Sequence, residues 1–240
     1  MPIPSIIIAE DNPRDREFLV DHLSGVQLQQ AVDGEEALML AEHYAEPFII
    51  SDIQMPRMNG IDFARALWQK NPLARILFWT QYDDEMYVRA LARIIPAETV
   101  YGYVLKSNLF EIIEKAIQAV FSDCQCWIDP KVRPIQARMT ASDGNITDAE
   151  FEVLIDIALG LTDNAIARRH YLSRRGAQSR LKSLYQKLSA DQHPAIDDRL
   201  AETINLRSRA VAIALDRGLI NQEILREESQ RLDKWLLSEK

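Results

Sequence analysis

Phe48-Ile49-Ile50-Ser51-Asp52-Ile53-Gln54-Met55-Pro56-Arg57-Met58-Asn59-Gly60 is the stretch that decides how this chain folds. Three apolar residues run into a lone carboxylate, and a loop punctuated by Pro56 and Gly60 leads into a helix. A short unbroken apolar run bounded by turn residues reads as a strand buried on both faces, the kind found inside a parallel sheet. Open sheets of that kind present their functional groups beyond the carboxyl ends of the strands. Asp52 stands at such an end.

Working outward, Ser5–Ala9, a short stretch over 26–32, Arg75–Thr80 and 100–105 read as four further strands. Helices are expected between them, starting near Pro13, Gly34, Gly60 and Asp84, with a fifth capped by Ser107 and carrying its apolar side on Leu109, Ile112, Ile113, Ala116, Ile117 and Val120. Five strands alternating with five helices make a doubly wound α/β domain with a parallel sheet.

Composition sets the frame. The 240 residues suggest one large or two ordinary domains, and 47% apolar with 27% charged residues is enough for a core in each. No apolar run approaches the roughly eighteen residues of a membrane span, and no leader-like segment is seen, so a cytoplasmic location away from membranes is expected. Cys124 and Cys126 lie too close for a structural disulfide, and with four scattered histidines they form no zinc pattern. Net charge is −8 but divided: residues 1–126 hold 10 Lys+Arg against 19 Asp+Glu, whereas 165–189 hold seven basic residues and no acid. An acidic half joined to a basic one fits a regulatory part joined to a nucleic-acid-binding part.

The strand ends carry chemistry. Strand one ends in Glu10-Asp11, strand three in Asp52, strand four in Thr80 and strand five in Lys106. Three carboxylates in one pocket raise one another's pKa values, and a small cation bound by hard oxygens removes that penalty; Mg²⁺ suits such a site. With Lys106 adding positive charge, Asp52 can attack phosphorus as a carboxylate nucleophile, a transfer that mainly needs positioning and charge stabilisation.

Glu10-Asp11, Asp52-x-x-Met55-Pro56-x-Met58-x-Gly60, Thr80 and Gly102-Tyr103-x-Leu105-Lys106 resemble the receiver domain of bacterial response regulators. The resemblance implies that Asp52 is the phosphoacceptor, Asp11 a direct Mg²⁺ ligand, Glu10 a ligand through water and the Gln54 backbone carbonyl a further ligand. It also implies that Lys106 contacts the phosphoryl group and that Thr80 and Tyr103 form the switch pair. Two features depart from the pattern: Gln81 stands where a small residue is usual, and the loop 93–99 before strand five is long.

Residues 123–143 read as a linker with some helix around Ile135. Thr147-Asp148-Ala149-Glu150 is a capping box that opens a helix stopped at Gly160. A short helix follows, and then a basic helix capped by Ser173 with Leu181, Leu184 and Leu188 inward. Helix, tight turn, basic helix is the arrangement that places a recognition helix in the major groove. The spacing of Ile146-Thr147, Glu150, Val153-Leu154, Gly160-Leu161-Thr162, Ile166-Ala167 and Leu172-Ser173 resembles the LuxR-type helix-turn-helix of NarL/FixJ response regulators, and resumes at Asn205 and over 210–220. By that resemblance Gln178, Ser179 and Lys182 meet bases, and Arg168, Arg169, Arg174, Arg175, Arg180 and Lys187 meet phosphates. Residues 191–203 are an insertion, and 221–240 form an amphipathic helical extension that docks within its own chain or joins two subunits.

The expected organisation is a receiver domain over 1–122, a linker over 123–143, a DNA-binding domain over 144–220 and the extension. The expected partners are double-stranded DNA, a sensor histidine kinase and a second copy of the chain. A Mg²⁺-dependent phosphohydrolase would need an acid/base Asp two residues after Asp52, and Gln54 occupies that position, so the chain is read as no enzyme. A regulator that uses its receiver only to dimerise is the remaining alternative.

Overall fold

Parallel pairing follows from the buried apolar runs. In the computed structural model, whose described residues are 5–23, 25–140, 146–190 and 205–238, the strands are β1 (Ser5–Ala9), β2 (Gln27–Ala31), β3 (Phe48–Ser51), β4 (Arg75–Thr80), β5 (Tyr101–Leu105) and β6 (Trp127–Ile128). They form one sheet in the order β2-β1-β3-β4-β5-β6, and every pairing is parallel. The order reverses between β1 and β3, so the crevice where ligands bind such sheets opens beside Asp52. All residues of β1 are buried, whereas β2, with three glutamines in five residues, forms the exposed edge.

Helices α1 (Pro13–His22), α2 (Gly34–Ala41), α3 (Gly60–Lys70), α4 (Glu85–Ala92) and α5 (Phe110–Ile117) make the crossovers. Alternation along the strands divides the core: Ile6, Ile8, Ile50, Leu77 and Val104 pack with Leu19 of α1 and Ile113 and Ile117 of α5. Asn12 caps α1 by accepting the Arg14 N–H, with Pro13 at the first position, as the sequence suggests. Ser107 does not cap α5. That helix starts at Phe110, and Lys106-Ser107-Asn108 form a turn in which Asn108 Nδ2 donates to the Leu105 carbonyl at 3.0 Å. A π-helical turn, Gln118–Ser122, ends α5.

The sixth strand corrects the five-strand expectation. Trp127 and Ile128 pair with Gly102 and Tyr103, so the segment read as linker completes the sheet before entering α6 (Arg133–Thr140). Two apolar residues flanked by Cys126 and Asp129 are too short a run to signal a strand. The chain forms two compact units, with the main division between Gln136 and Ala137.

The second unit is helical: α7 (Asp148–Ala158), α8 (Asp163–Arg169), α9 (Arg174–Ala190), α10 (Leu206–Asp216) and α11 (Gln222–Ser238). The Thr147–Glu150 capping box is present in both directions, and Gly160 takes a φ of 84° just past the end of α7. Val153, Leu154, Ala177, Leu184 and Ala214 are fully buried in the core of this unit. Helix α11 packs on α7 with Leu232 buried, while Leu236 and Leu237 are exposed. The insertion 191–203 lies outside the described residues.

Candidate functional site

Backbone pairing sets the level of each group in the acidic pocket. Ala9 is in register with Ser51, and Thr80 with Leu105. The ladder then runs one residue past the strands. The Glu10 N–H donates to the Ala31 carbonyl at 3.0 Å, the Asp52 N–H to Ala9 at 2.9 Å and the Lys106 N–H to Thr80 at 2.7 Å. Three charged side chains are thereby fixed at one sheet edge by their own main chain.

The carboxylates of Glu10, Asp11 and Asp52 offer ligand oxygens within 4.8 Å of one another. Glu10 and Asp52 are buried and Asp11 is exposed. Lys106 Nζ donates to Glu10 at 2.7 Å, to Asp15 at 2.8 Å and to Asp52 at 2.9 Å, and lies 4.9 Å from the Trp79 ring centroid. Burial, reinforced by the Asp52 charge, pushes the Glu10 carboxyl up to about 7 against the pull of Lys106. For Lys106, burial acts downward, and Asp52, Asp15 and Glu10 outweigh it and hold the ammonium firmly protonated. The pocket is therefore crowded with negative charge that one lysine only partly offsets, and hard oxygens so arranged fit a small divalent cation.

The loop after Asp52 is fixed from both sides. The Gly60 N–H donates to the Ile53 carbonyl at 2.8 Å, and a Cβ at position 60 would collide with the Asp52 carbonyl oxygen, so only glycine lets the loop close there. Arg57, at a φ of 62°, pairs with buried Asp33 and with Glu36. Asp52 Oδ1 accepts the Ile53 N–H at 2.6 Å, while Oδ2 takes Lys106.

In the second unit, α8 meets α9 through a turn in which Tyr171 adopts a φ of 53° and the Leu172 N–H donates to the Ala167 carbonyl at 2.7 Å. Ser173 caps α9 by accepting the Gly176 N–H at 3.0 Å. Ala177, Leu181, Leu184 and Leu188 face the core, leaving Arg174, Arg175, Gln178, Ser179 and Lys182 exposed. The far end of α9 is fastened to α7: Ser183 Oγ and Lys187 Nζ donate to the Glu150 carboxylate at 2.5 and 2.7 Å.

Residues 6–118 match the response regulator receiver domain family. The transcriptional regulatory protein YdfI of Bacillus subtilis (strain 168) is 29% identical over 198 residues, spanning 80% of this chain and 84% of that protein. The oxygen regulatory protein NreC of Staphylococcus carnosus (strain TM300) is 27% identical over 179 residues, spanning 69% and 80%. Over residues 6–118 this chain is thus similar to response regulator receiver domains, and over most of its length to a transcriptional regulatory protein. A solved structure of two RcsB dimers bound to two parallel DNAs shares the fold, with a TM-score of 0.55, 21% identity and coverage of 84% of this chain and 99% of that one.

The residues singled out from the sequence fall into two groups. Glu10, Asp11, Asp52 and Lys106 come together in the pocket. Thr80 is buried at the end of β4, and Tyr103 is buried with its hydroxyl donating to the Tyr82 carbonyl at 2.6 Å. The Gln54 side chain turns to Tyr87, donating at 2.8 Å, and Gln81 is exposed. Sequence reasoning missed Asp15; its signal was its place four residues after Asp11, in the first turn of a helix starting beside the pocket.

The basic residues of the second unit divide. Arg168 is exposed, and Arg180 is half-buried. Arg169 donates to buried Asp156 at 2.6 Å and pairs with Glu228 of α11 at 3.4 Å, and Lys187 is held by Glu150. Both have internal partners that the run of basic residues concealed. Gln178 donates to Asp163 at 3.3 Å. No helix among the described residues is long and apolar enough to cross a membrane.

Proposed function

We propose that this chain is a response regulator of the NarL/FixJ type, a phosphorylation-controlled, DNA-binding transcription regulator that works in the cytoplasm. The observation that carries the reading is the convergence of Glu10, Asp11, Asp52 and Lys106 on one sheet edge, in a chain whose second unit presents an exposed polar and basic face on α9. A sensor histidine kinase is the proposed donor. An Asp52 carboxylate oxygen attacks the phosphorus of its phosphohistidine; the new O–P bond forms as the N–P bond breaks, and the electron pair leaves on the imidazole nitrogen. Glu10, Asp11 and Asp52, with the Gln54 carbonyl, would hold Mg²⁺, which supplies charge neutralisation for the transferred group when bound. Lys106 already donates to Asp52 and is placed to follow the charge onto the phosphoryl oxygens.

Phosphorylation adds up to about two negative charges. Thr80 and Tyr103 are the proposed switch pair, and the shift they make favours a dimer that reads two half-sites about one helical turn apart. Gln178, Ser179 and Lys182 are the proposed base contacts. Arg168, Arg174, Arg175 and Arg180 are the proposed phosphate contacts, while the internal ion pairs of Arg169 and Lys187 argue against that role for them.

Intact-mass measurement after incubation with a small acyl phosphate and Mg²⁺ tests the reading. The wild-type chain should gain one phosphoryl group, and Asp52→Asn, which keeps the shape and loses the nucleophile, should gain none. An unchanged wild-type mass, or an equal gain in Asp52→Asn, removes Asp52 from the role.

A further inference from the structure

The segment that completes the sheet meets the residue next to Lys106. Strand β6 has two residues, and the ladder continues one step further as the Asp129 N–H donates to the Tyr103 carbonyl at 2.9 Å. There the strand stops. The next outward-facing donor of β5 is the Leu105 N–H, which would be an unpaired buried group without a replacement for the missing strand. The Asp129 side chain supplies it: Oδ2 accepts the Leu105 N–H at 3.3 Å and Asn108 Nδ2 at 2.6 Å. Asp129 is 2% exposed, so these bonds are made away from water.

The same residue opens the turn that leads into α6. Its Oδ1 accepts the Lys131 N–H at 2.9 Å, and its carbonyl accepts Val132 and Arg133 at 2.9 and 3.0 Å. Gln136, one turn further on, donates to the Tyr101 hydroxyl at 2.9 Å. Ile128 and Val132 line a small apolar cavity together with Tyr103, Val88 and Leu91. One buried carboxylate therefore satisfies the last outward amide of β5 and opens the turn into α6, while the Asp129 backbone N–H bonds the carbonyl of Tyr103, proposed as a switch residue. Beyond Leu105, Lys106 is tied by its N–H to Thr80 and by its ammonium to the pocket.

We infer that Asp129 is a positioning residue that couples Lys106 to α6, the helix through which the chain leaves its first unit. This rests on the reading of Asp52 as phosphoacceptor. A new charge on Asp52 changes the pull on Lys106, and the turn Lys106-Ser107-Asn108 passes that change to Asp129 through the Leu105 amide and the Asn108 side chain. Coupling between two sites is reciprocal, so loosening Asp129 must in turn alter the pocket.

Hydrogen exchange read by mass spectrometry on the full chain tests this, with 128–136 measured relative to α2 on the far side of the sheet. Asp129→Asn puts an amide donor against donors, and should speed exchange at 128–136 by about tenfold or more, the factor carried by a lost hydrogen bond to a charged group. It should also change the rate at which acyl phosphate and Mg²⁺ modify Asp52, a readout that a merely structural latch would leave alone. The deciding variant is Lys106→Ala without any phosphodonor, which should loosen 128–136 relative to α2. Unchanged relative exchange in Lys106→Ala overturns the coupling, as does an unchanged modification rate in a folded Asp129→Asn. If Asp129→Asn fails to fold, Lys106→Ala still decides. If the wild-type chain takes no phosphoryl group, the phosphoacceptor reading fails, while the Lys106→Ala exchange still judges the link between pocket and helix.

Discussion

Lys106 and Lys182 are both lysines at proposed working surfaces, and the molecule treats them oppositely. Lys106 is surrounded: three carboxylates lie within 2.9 Å of its ammonium, a tryptophan ring lies beside it, and its backbone is pinned to the neighbouring strand. Lys182 stands exposed on the outer side of α9. A pocket for a small, highly charged group must be assembled before the group arrives, because pre-organised charge is what lowers the barrier. A surface for a long polyanion needs cations left open, since its affinity comes from displacing counterions. On a surface of the second kind, a charged side chain that already has a buried partner belongs to the scaffold, and one that stands in water remains available for the ligand.

That rule is tested most sharply by Arg169. It lies in the basic stretch of the second unit, yet its guanidinium is held by Asp156, which is 1% exposed. Removing one partner of a buried pair leaves the other charge uncompensated. His170 Nε2, 2.6 Å from the same carboxylate, retains part of the satisfaction. Arg169→Ala should therefore destabilise the second unit by about 3 kcal/mol, seen as a lower urea midpoint. An unchanged midpoint with weakened DNA binding would return Arg169 to the phosphate-facing set.

This division also accounts for how much could be read from the chain. The first unit's five longer strands, their crossovers and the groups at four strand ends were legible because a short buried run ending in a polar or charged group fits little besides a parallel strand reaching a sheet edge, and because Pro56 and Gly60 fix the loop locally. Asp15 was not, since an acid in the first turn of a helix is commonplace there. Strand β6 was not, because its pairing partner is some twenty-five residues away and two residues carry no period. The internal partners of Arg169 and Lys187 were invisible for the same reason: Asp156, Glu228 and Glu150 are brought to them only by helix packing.

On the open face of α9, residues that read bases and residues that only position the duplex should respond differently to substitution. Lys182→Ala should reduce discrimination at one base pair by about 1–3 kcal/mol, the worth of a good base contact. Arg180→Ala should weaken all sequences alike and reduce the salt-dependence slope by about one. Titrating both variants with salt, on a specific and a scrambled duplex, separates these. Equal losses on the two duplexes for Lys182→Ala would move it to the positioning set.

The smallest effect concerns the fastened end of α9, and it is set by pH. Glu150 is buried in α7, and burial alone would raise its pKa; hydrogen bonds from Lys187, Ser183 and Thr147 outweigh that and hold the carboxyl below its ordinary value. A carboxyl whose folded pKa is depressed contributes stability that is fully present above its unfolded pKa, near about 4.3, and is lost as pH falls through the folded pKa. Lowering pH from about 5 towards 3 should therefore protonate Glu150 and loosen its bonds to Ser183 and Lys187, alongside the general loss from other carboxylates. Glu150→Gln removes this titration while keeping the size of the side chain. Its unfolding midpoint should lie below that of the wild-type chain at pH 7, and the two curves should converge as acid is added. Curves that stay parallel down to pH 3 would mean that Glu150 does not hold α9 through its charge, and that apolar packing of Leu181, Leu184 and Leu188 alone fixes the helix against α7.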